Sequence, residues 1–170
     1  FNRAIKKHKY QGEYYYCYCT KCNHFSPVIK TALREGVHIE TSSSYDIDLI
    51  RQLHKEKELS KSTLLIHNGY KTEGYLDKII QLHQDGFKNS IIILDSKSEF
   101  KRLKAKLPNL KNKVQLGIRM AIDEEPQSAY YTSRLGIRQK EIIDFYNDEI
   151  KPDDRFELKI LHFFVDSGIK

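Results

Sequence analysis

Short apolar or β-branched runs alternate along the chain with longer stretches of helical period. Six runs read as strands: Tyr14 to Thr20, Val37 to Thr41, Thr63 to His67, Ser90 to Leu94, Val114 to Met120 and Leu158 to Val165. Between them, apolar residues recur at helical spacing. Pro27 to Glu35 carries Val28, Ala32 and Leu33; Tyr45 to His54 carries Ile47, Ile50 and Leu53; Thr72 to Asp85 carries Leu76, Ile79, Ile80 and Leu82. Lys97 to Leu107 carries Phe100 and Leu103, and Gln139 to Tyr146 carries Ile142, Ile143 and Phe145. Each set reads as core. Turn residues fall between these segments at Gly36, Asn68-Gly69, Gly86 and Pro108-Asn109.

The run Ile91-Ile92-Ile93-Leu94 is apolar without alternation, which places both faces of its strand inside the molecule. Strands buried on both faces belong to parallel sheets covered by helices, built from right-handed βαβ units. Two closures satisfy that pattern: an open doubly wound sheet, or a (β/α)8-type barrel. No glycine-rich phosphate fingerprint follows the first strand, which lowers the dinucleotide-binding option. The expectation is therefore an α/β fold of the (β/α)8 type, incomplete, with six of eight βα units.

Composition narrows the function classes only slightly. A chain of 170 residues, 39% hydrophobic and 31% charged, can bury one good core and is short for two. Its formal charge of +6 would favour polyanions in general terms. The basic residues are dispersed, however, as in Lys101, Arg102, Lys104 and Lys106, and such a helix is a solvated face more than a phosphate track. Nucleic acid is not expected as a partner. Three crowded cysteines, no signal peptide and no apolar run of spanning length point to a reducing cytoplasm and no membrane partner. The chain opens on Phe1 and stops at Lys170 just after an apolar segment, so both ends read as cut from something longer.

In parallel α/β folds, reactive groups gather at the carboxyl ends of the strands, where loops and helix N-termini converge. Those ends here carry Lys21, Asn23 and His24; Glu40 and Ser42 to Ser44; Asn68 to Lys71; Asp95; Arg119; and His162, Phe164 and Ser167. By the period of two, Tyr15, Cys17, Cys19 and Lys21 share one face, which would turn Lys21 inward. Burial lowers a lysine's pKa and frees its amine as a nucleophile toward aldehydes. On spacing alone, an ordinary lysine at a strand end remains the commoner outcome.

Cys17, Cys19, Cys22 and His24 also suggest zinc, but the run lies largely on a strand and has no second ligand pair, so no metal is expected. Small buried thiols are the blander reading. His67 and His162, on apolar strands, read as satisfied core histidines, and Ser42 to Ser44 read as a loop and N-cap with Asp46 in the first helical turn.

The segments YQGEYYYCYCTKCN, HIETSSSYDI, IHNGYK, LGIRMAIDEEP, YTSRLGI and LKILHFFVDSGI, in that order, resemble the barrel domain of the fold-type III pyridoxal-phosphate decarboxylases. Within that family they are most similar to the biosynthetic arginine decarboxylases, above all the Bacteroidetes forms. The resemblance runs from Phe1 to Lys170 and implies pyridoxal phosphate as cofactor. It implies that Lys21 is the lysine that holds the cofactor, that Glu40 is the acidic residue beside it, and that Arg119 lies close to the cofactor ring. It implies further that Ser167 reaches the phosphate. Phe164 stands where the wider superfamily has a ring-stacking histidine, and Asp166 where glycine is usual. Phenylalanine stacks but forms no hydrogen bond.

The resemblance implies decarboxylation of arginine to agmatine in polyamine biosynthesis, by a cytoplasmic enzyme that is a homo-oligomer at full length and takes a small-molecule amino acid. Residues 1–170 would be a partial cofactor-binding barrel domain. The last two strands and the C-terminal β domain would be absent, leaving the fragment inactive and prone to self-association through its open edges. Two competitors stand beside this reading: a decarboxylase of ornithine or diaminopimelate on the same fold, and a non-catalytic barrel acting as a binding module.

Overall fold

The computed structural model describes residues 2–107, 112–121 and 135–163. The expected turn at Pro108-Asn109, the end of the last expected strand, and Phe164, Asp166 and Ser167 lie outside the described residues. Among those described, the strands are β1 (Cys17–Cys19), β2 (His38–Thr41), β3 (Leu65–His67), β4 (Ser90–Leu94), β5 (Val114–Ala121), β6 (Ile137–Arg138) and β7 (Phe156–His162). The helices are α1 (Asn2–Lys7), α2 (Ser26–Arg34), α3 (Ser44–Lys55), α4 (Glu73–Gln84), α5 (Lys97–Lys106) and α6 (Gln139–Phe145). A π-helical turn, Tyr146–Ile150, extends α6. Every expected strand and helix is present; α1 and the two-residue β6 were not anticipated, both being too short for a periodic signal.

The sheet settles which closure applies. All pairings are parallel and the neighbours run β1-β2-β3-β4-β5, with β7 beside β5 and β6 on the end of β5. Neighbours in chain order without a reversal are the winding of a (β/α)8-type barrel; a doubly wound sheet reverses at a switch point. The expected incomplete barrel is the observed fold.

Its two faces differ. Toward the helices, Ile39, Leu65, Ile92, Leu94, Leu116 and Ile118 join Ile47, Ile50, Leu76, Ile79 and Phe100 in one large core. Phe100 makes edge contacts with Phe145 (5.6 Å) and Phe156 (4.9 Å), tying α5, α6 and β7 together. The opposite face holds a smaller cluster of Ile66, Ile91 and Ile93 with Cys17, Leu64 and Ile160. Gly117 keeps that side open for packing, since a Cβ there would stand 2.4 Å from the Ile93 side chain. Ser42 and Ser43 form the expected cap, their amides donating to Asp46 Oδ2 at 2.7 and 2.9 Å.

Candidate active site at the strand carboxyl ends

Above the smaller cluster, the same face continues into polar residues at the strand ends, because alternation carries Cys17 to Cys19, Ile66 to Asn68, Ile93 to Asp95 and Gly117 to Arg119. His38 leads to Glu40 in the same way. In β7 the pairing with β5 shifts after Leu116, so that Gly117 meets Ile160. The extra residue turns Ile160 and His162 to this face, whereas Phe156 and Leu158 pack with the helix-side core.

Glu40 is half-buried at the centre of the group. Its Oε1 accepts hydrogen bonds from Asn68 Nδ2 at 3.1 Å and from the Cys19 thiol at 3.5 Å. Asn68 Nδ2 also lies 3.4 Å from His162 Nε2. Arg119 Nη1 faces Asp95 Oδ1 at 3.6 Å. The structure thus brings Glu40 and Arg119 to the same sheet face, beside Asn68, Asp95 and His162.

Lys21 departs from expectation. The strand stops at Cys19 and the chain turns through a 3-10 helix, Thr20–Cys22, which ends the period of two before Lys21 is reached. Thr20 takes the buried position, its hydroxyl donating to the Glu40 carbonyl at 3.1 Å, and Lys21 is exposed. Among the described residues no carboxylate pairs with its amine. The site therefore presents an accessible lysine at its rim, not an inward one.

The physical profile expected of Lys21 belongs instead to Lys71, which is 1% exposed. Burial pushes its pKa down, against the opposing pull of Glu99 and Asp95. Its amine is fully engaged: it donates to the carbonyls of Gly69 (2.6 Å) and Ile93 and lies 3.6 Å from Glu99 Oε2. Glu99 in turn accepts from the amides of Lys71 and Asp95, each at 2.8 Å. The buried pair clamps the ends of β3 and β4 to α5. Sequence reasoning missed it, although Ser96 followed three residues later by Glu99 is a capping-box pattern that marks the carboxylate as locally employed.

The histidines divide. His67 is a satisfied core residue, its Nδ1 2.7 Å from Thr41 Oγ1 and its Nε2 2.7 Å from Ser90 Oγ. Burial lowers its pKa to about 3, helped by the nearby Lys71 charge. His162 is not such a residue. It stands half-buried on the site face with Nδ1 unpartnered among the described residues, its pKa lowered by burial and then by Arg119.

The cysteines are free thiols. Burial and then the Glu40 charge raise Cys17 and Cys19 to about 11, so both stay protonated and weakly reactive near neutral pH. His24 is engaged with Asp46 at 2.8 Å. Among the described residues no three potential ligands converge on a metal position, and no helix is long and apolar enough to cross a membrane.

The site has unused capacity for a polar ligand. Asn68 Oδ1, both carboxylate oxygens of Asp95, and His162 Nδ1 are buried without a hydrogen-bond partner among the described residues. Such groups cost about 1–3 kcal/mol each when left unpaired. Three of the four are oxygens that only accept hydrogen bonds, so this face suits a polar ligand that presents donors, with an exposed amine nearby at Lys21.

The family model of the pyridoxal-dependent decarboxylases, pyridoxal binding domain, matches residues 2–170. A biosynthetic arginine decarboxylase of Prochlorococcus marinus (strain AS9601) is 27% identical over 99% of this chain, and one of Phocaeicola vulgatus is 20% identical over the same share. The chain spans about a quarter of the length of these curated relatives, 27% and 28%. Among solved structures, diaminopimelate decarboxylase from Helicobacter pylori superposes with a TM-score of 0.72 at 16% identity, over 96% of this chain and 41% of that one. The Paramecium bursaria Chlorella virus arginine decarboxylase superposes with a TM-score of 0.64 at 23% identity, over 99% of this chain and 48% of that one. At these identities the structural likeness speaks to fold alone.

Proposed function

Because the chain belongs to the pyridoxal-dependent decarboxylases and matches their pyridoxal-binding domain, we propose that it is the cofactor-holding part of an enzyme that decarboxylates arginine to agmatine. The observation that carries this reading is the ring at the strand carboxyl ends, where Glu40, Asn68, Asp95, Arg119 and His162 share one face and four buried polar atoms await a partner. When bound, pyridoxal phosphate supplies the electron sink for the pair released as the α-carboxylate leaves.

The chain's own residues do the holding. Lys21 offers the exposed amine for attachment. Glu40, fixed by the Asn68 amide and the Cys19 thiol, is the acidic residue of the cofactor site. Arg119 supplies the positive charge near the ring, Phe164 an apolar surface to stack on, and Ser167 a hydroxyl for the phosphate. Arginine as substrate is supported by the motif resemblance and by the names of the relatives. The free thiols support a reducing, cytoplasmic setting, and the full-length enzyme acts as a homo-oligomer on a small amino acid.

The test uses the full-length parent enzyme. Added pyridoxal phosphate should give a visible absorption band that borohydride converts to a stable adduct, found by peptide mass spectrometry on Lys21 and absent in Lys21→Ala. Carbon dioxide release should be fastest with arginine among arginine, ornithine, lysine and diaminopimelate. A label on another lysine, or binding undiminished in Lys21→Ala, refutes the assignment of Lys21; equal or faster turnover of another amino acid refutes arginine.

A further inference from the structure

Asp95 is the least explained group in the site. It is 3% exposed, and neither of its carboxylate oxygens receives a hydrogen bond among the described residues. A buried ionised carboxylate is costly unless a charge compensates it. Its backbone, by contrast, is pinned on both sides: the amide donates to Glu99 Oε2 at 2.8 Å, and the carbonyl accepts from Gly136 at 3.0 Å. The side chain is thus aimed from a rigid base and left without a local partner.

Two cations stand near it, one buried and one partly exposed. Lys71 is already spoken for, since its ammonium donates to Gly69 O and Ile93 O and its charge faces Glu99 at 3.6 Å. Arg119 remains, with Nη1 3.6 Å from Asp95 Oδ1 and its side chain only 16% exposed. Charge-assisted guanidinium–carboxylate bonds run at about 2.7–2.9 Å, so a closure of under about 1 Å makes the contact direct. The four charges then pair off as Lys71 with Glu99 and Asp95 with Arg119.

From this geometry we infer that Asp95 is a positioning residue for Arg119, holding the guanidinium at the mouth of the barrel where the cofactor binds. The inference rests on the proposed cofactor site. Without the carboxylate, Arg119 loses its only acidic partner among the described residues and its direction with it. In this role Asp95 acts through Arg119.

A double-mutant cycle on cofactor affinity tests this in the full-length enzyme, with Kd read from the visible band and independently from quenching of protein fluorescence. Asp95→Asn and Arg119→Gln should each weaken binding about tenfold, and the double variant by about the same tenfold and not a hundredfold, a coupling of about 1.4 kcal/mol. Asp95→Glu, which keeps the charge, should recover most of the loss. Multiplicative effects, or an Asp95→Asn enzyme with unchanged Kd, overturn the inference. Should Asp95→Asn fail to fold, the cycle is run with Asp95→Ser and Arg119→Lys, where independence of the two effects again overturns it. Failure of the wild-type enzyme to bind the cofactor at all would instead refute the cofactor site itself.

Discussion

Lowering the pH should destabilise this fold through His67, and by an amount that can be worked out. In the folded chain the imidazole is fully buried, both nitrogens are hydrogen-bonded, and its pKa is about 3 instead of 6.5. Between those values the unfolded chain binds a proton that the folded chain refuses, so stability rises with pH and is lost as pH falls below about 6.5. The slope approaches 1.36 kcal/mol per pH unit. From pH 7 to 4.5 the loss assigned to this one group is about 2.5 kcal/mol, a substantial share of the ~5–15 kcal/mol that holds a domain together. Urea unfolding at pH 7, 6, 5 and 4.5 measures it. His67→Gln keeps hydrogen-bonding capacity without titrating, so the wild-type chain should lose about 2.5 kcal/mol more than the variant across the window. His83 and His162, also lowered by burial, contribute equally to both proteins and cancel. Parallel pH dependences for the two proteins, or a His67 resonance titrating near 6.5, would refute the reasoning.

Two other perturbations probe the frame around the site. Lys71→Met leaves Glu99 charged and buried without its cation, which costs about 3–5 kcal/mol and should lower the melting temperature by about 10 °C, with Glu99→Gln added on top restoring part of it; an unchanged melting temperature would contradict the buried-pair account. Gly136→Ala forces a side chain onto a backbone at φ 108°, with its Cβ 2.7 Å from the Ala121 amide nitrogen and 3.0 Å from the Arg119 carbonyl. Hydrogen exchange at the residue 136 amide, now bonded to Asp95, should accelerate as β6 separates from β5, and unaltered protection would show that the segment absorbs the strain.

Much of this protein was legible in its residue order. The parallel strands could be read because burial on both faces removes the alternation from Ile91 to Leu94, and the helices because Ile47, Ile50 and Leu53 or Leu76, Ile79 and Ile80 recur at the period that buries one stripe. Glu40 and Arg119 were placed at strand ends by counting, and the structure puts them on one face. Phe164 and Ser167 lie outside the described residues.

Tertiary structure alone decided the rest, and the reason is common to each case. A period assigns a face only while the backbone keeps that period. At Lys21 it is lost because the chain leaves the sheet for a 3-10 turn after Cys19, so a residue counted as inward is exposed. At His162 it is reset because β7 carries one more residue than the stretch of β5 it pairs with, and that shift moves the imidazole from the core side to the site. Where a strand ends, and where it bulges, depends on the partner strand and not on the local residues. The same holds for Lys71, Glu99, Asp95 and Arg119. Their charges meet because β3, β4, β5 and α5 converge, a proximity between residues as far apart as 71 and 119 that no spacing along the chain encodes.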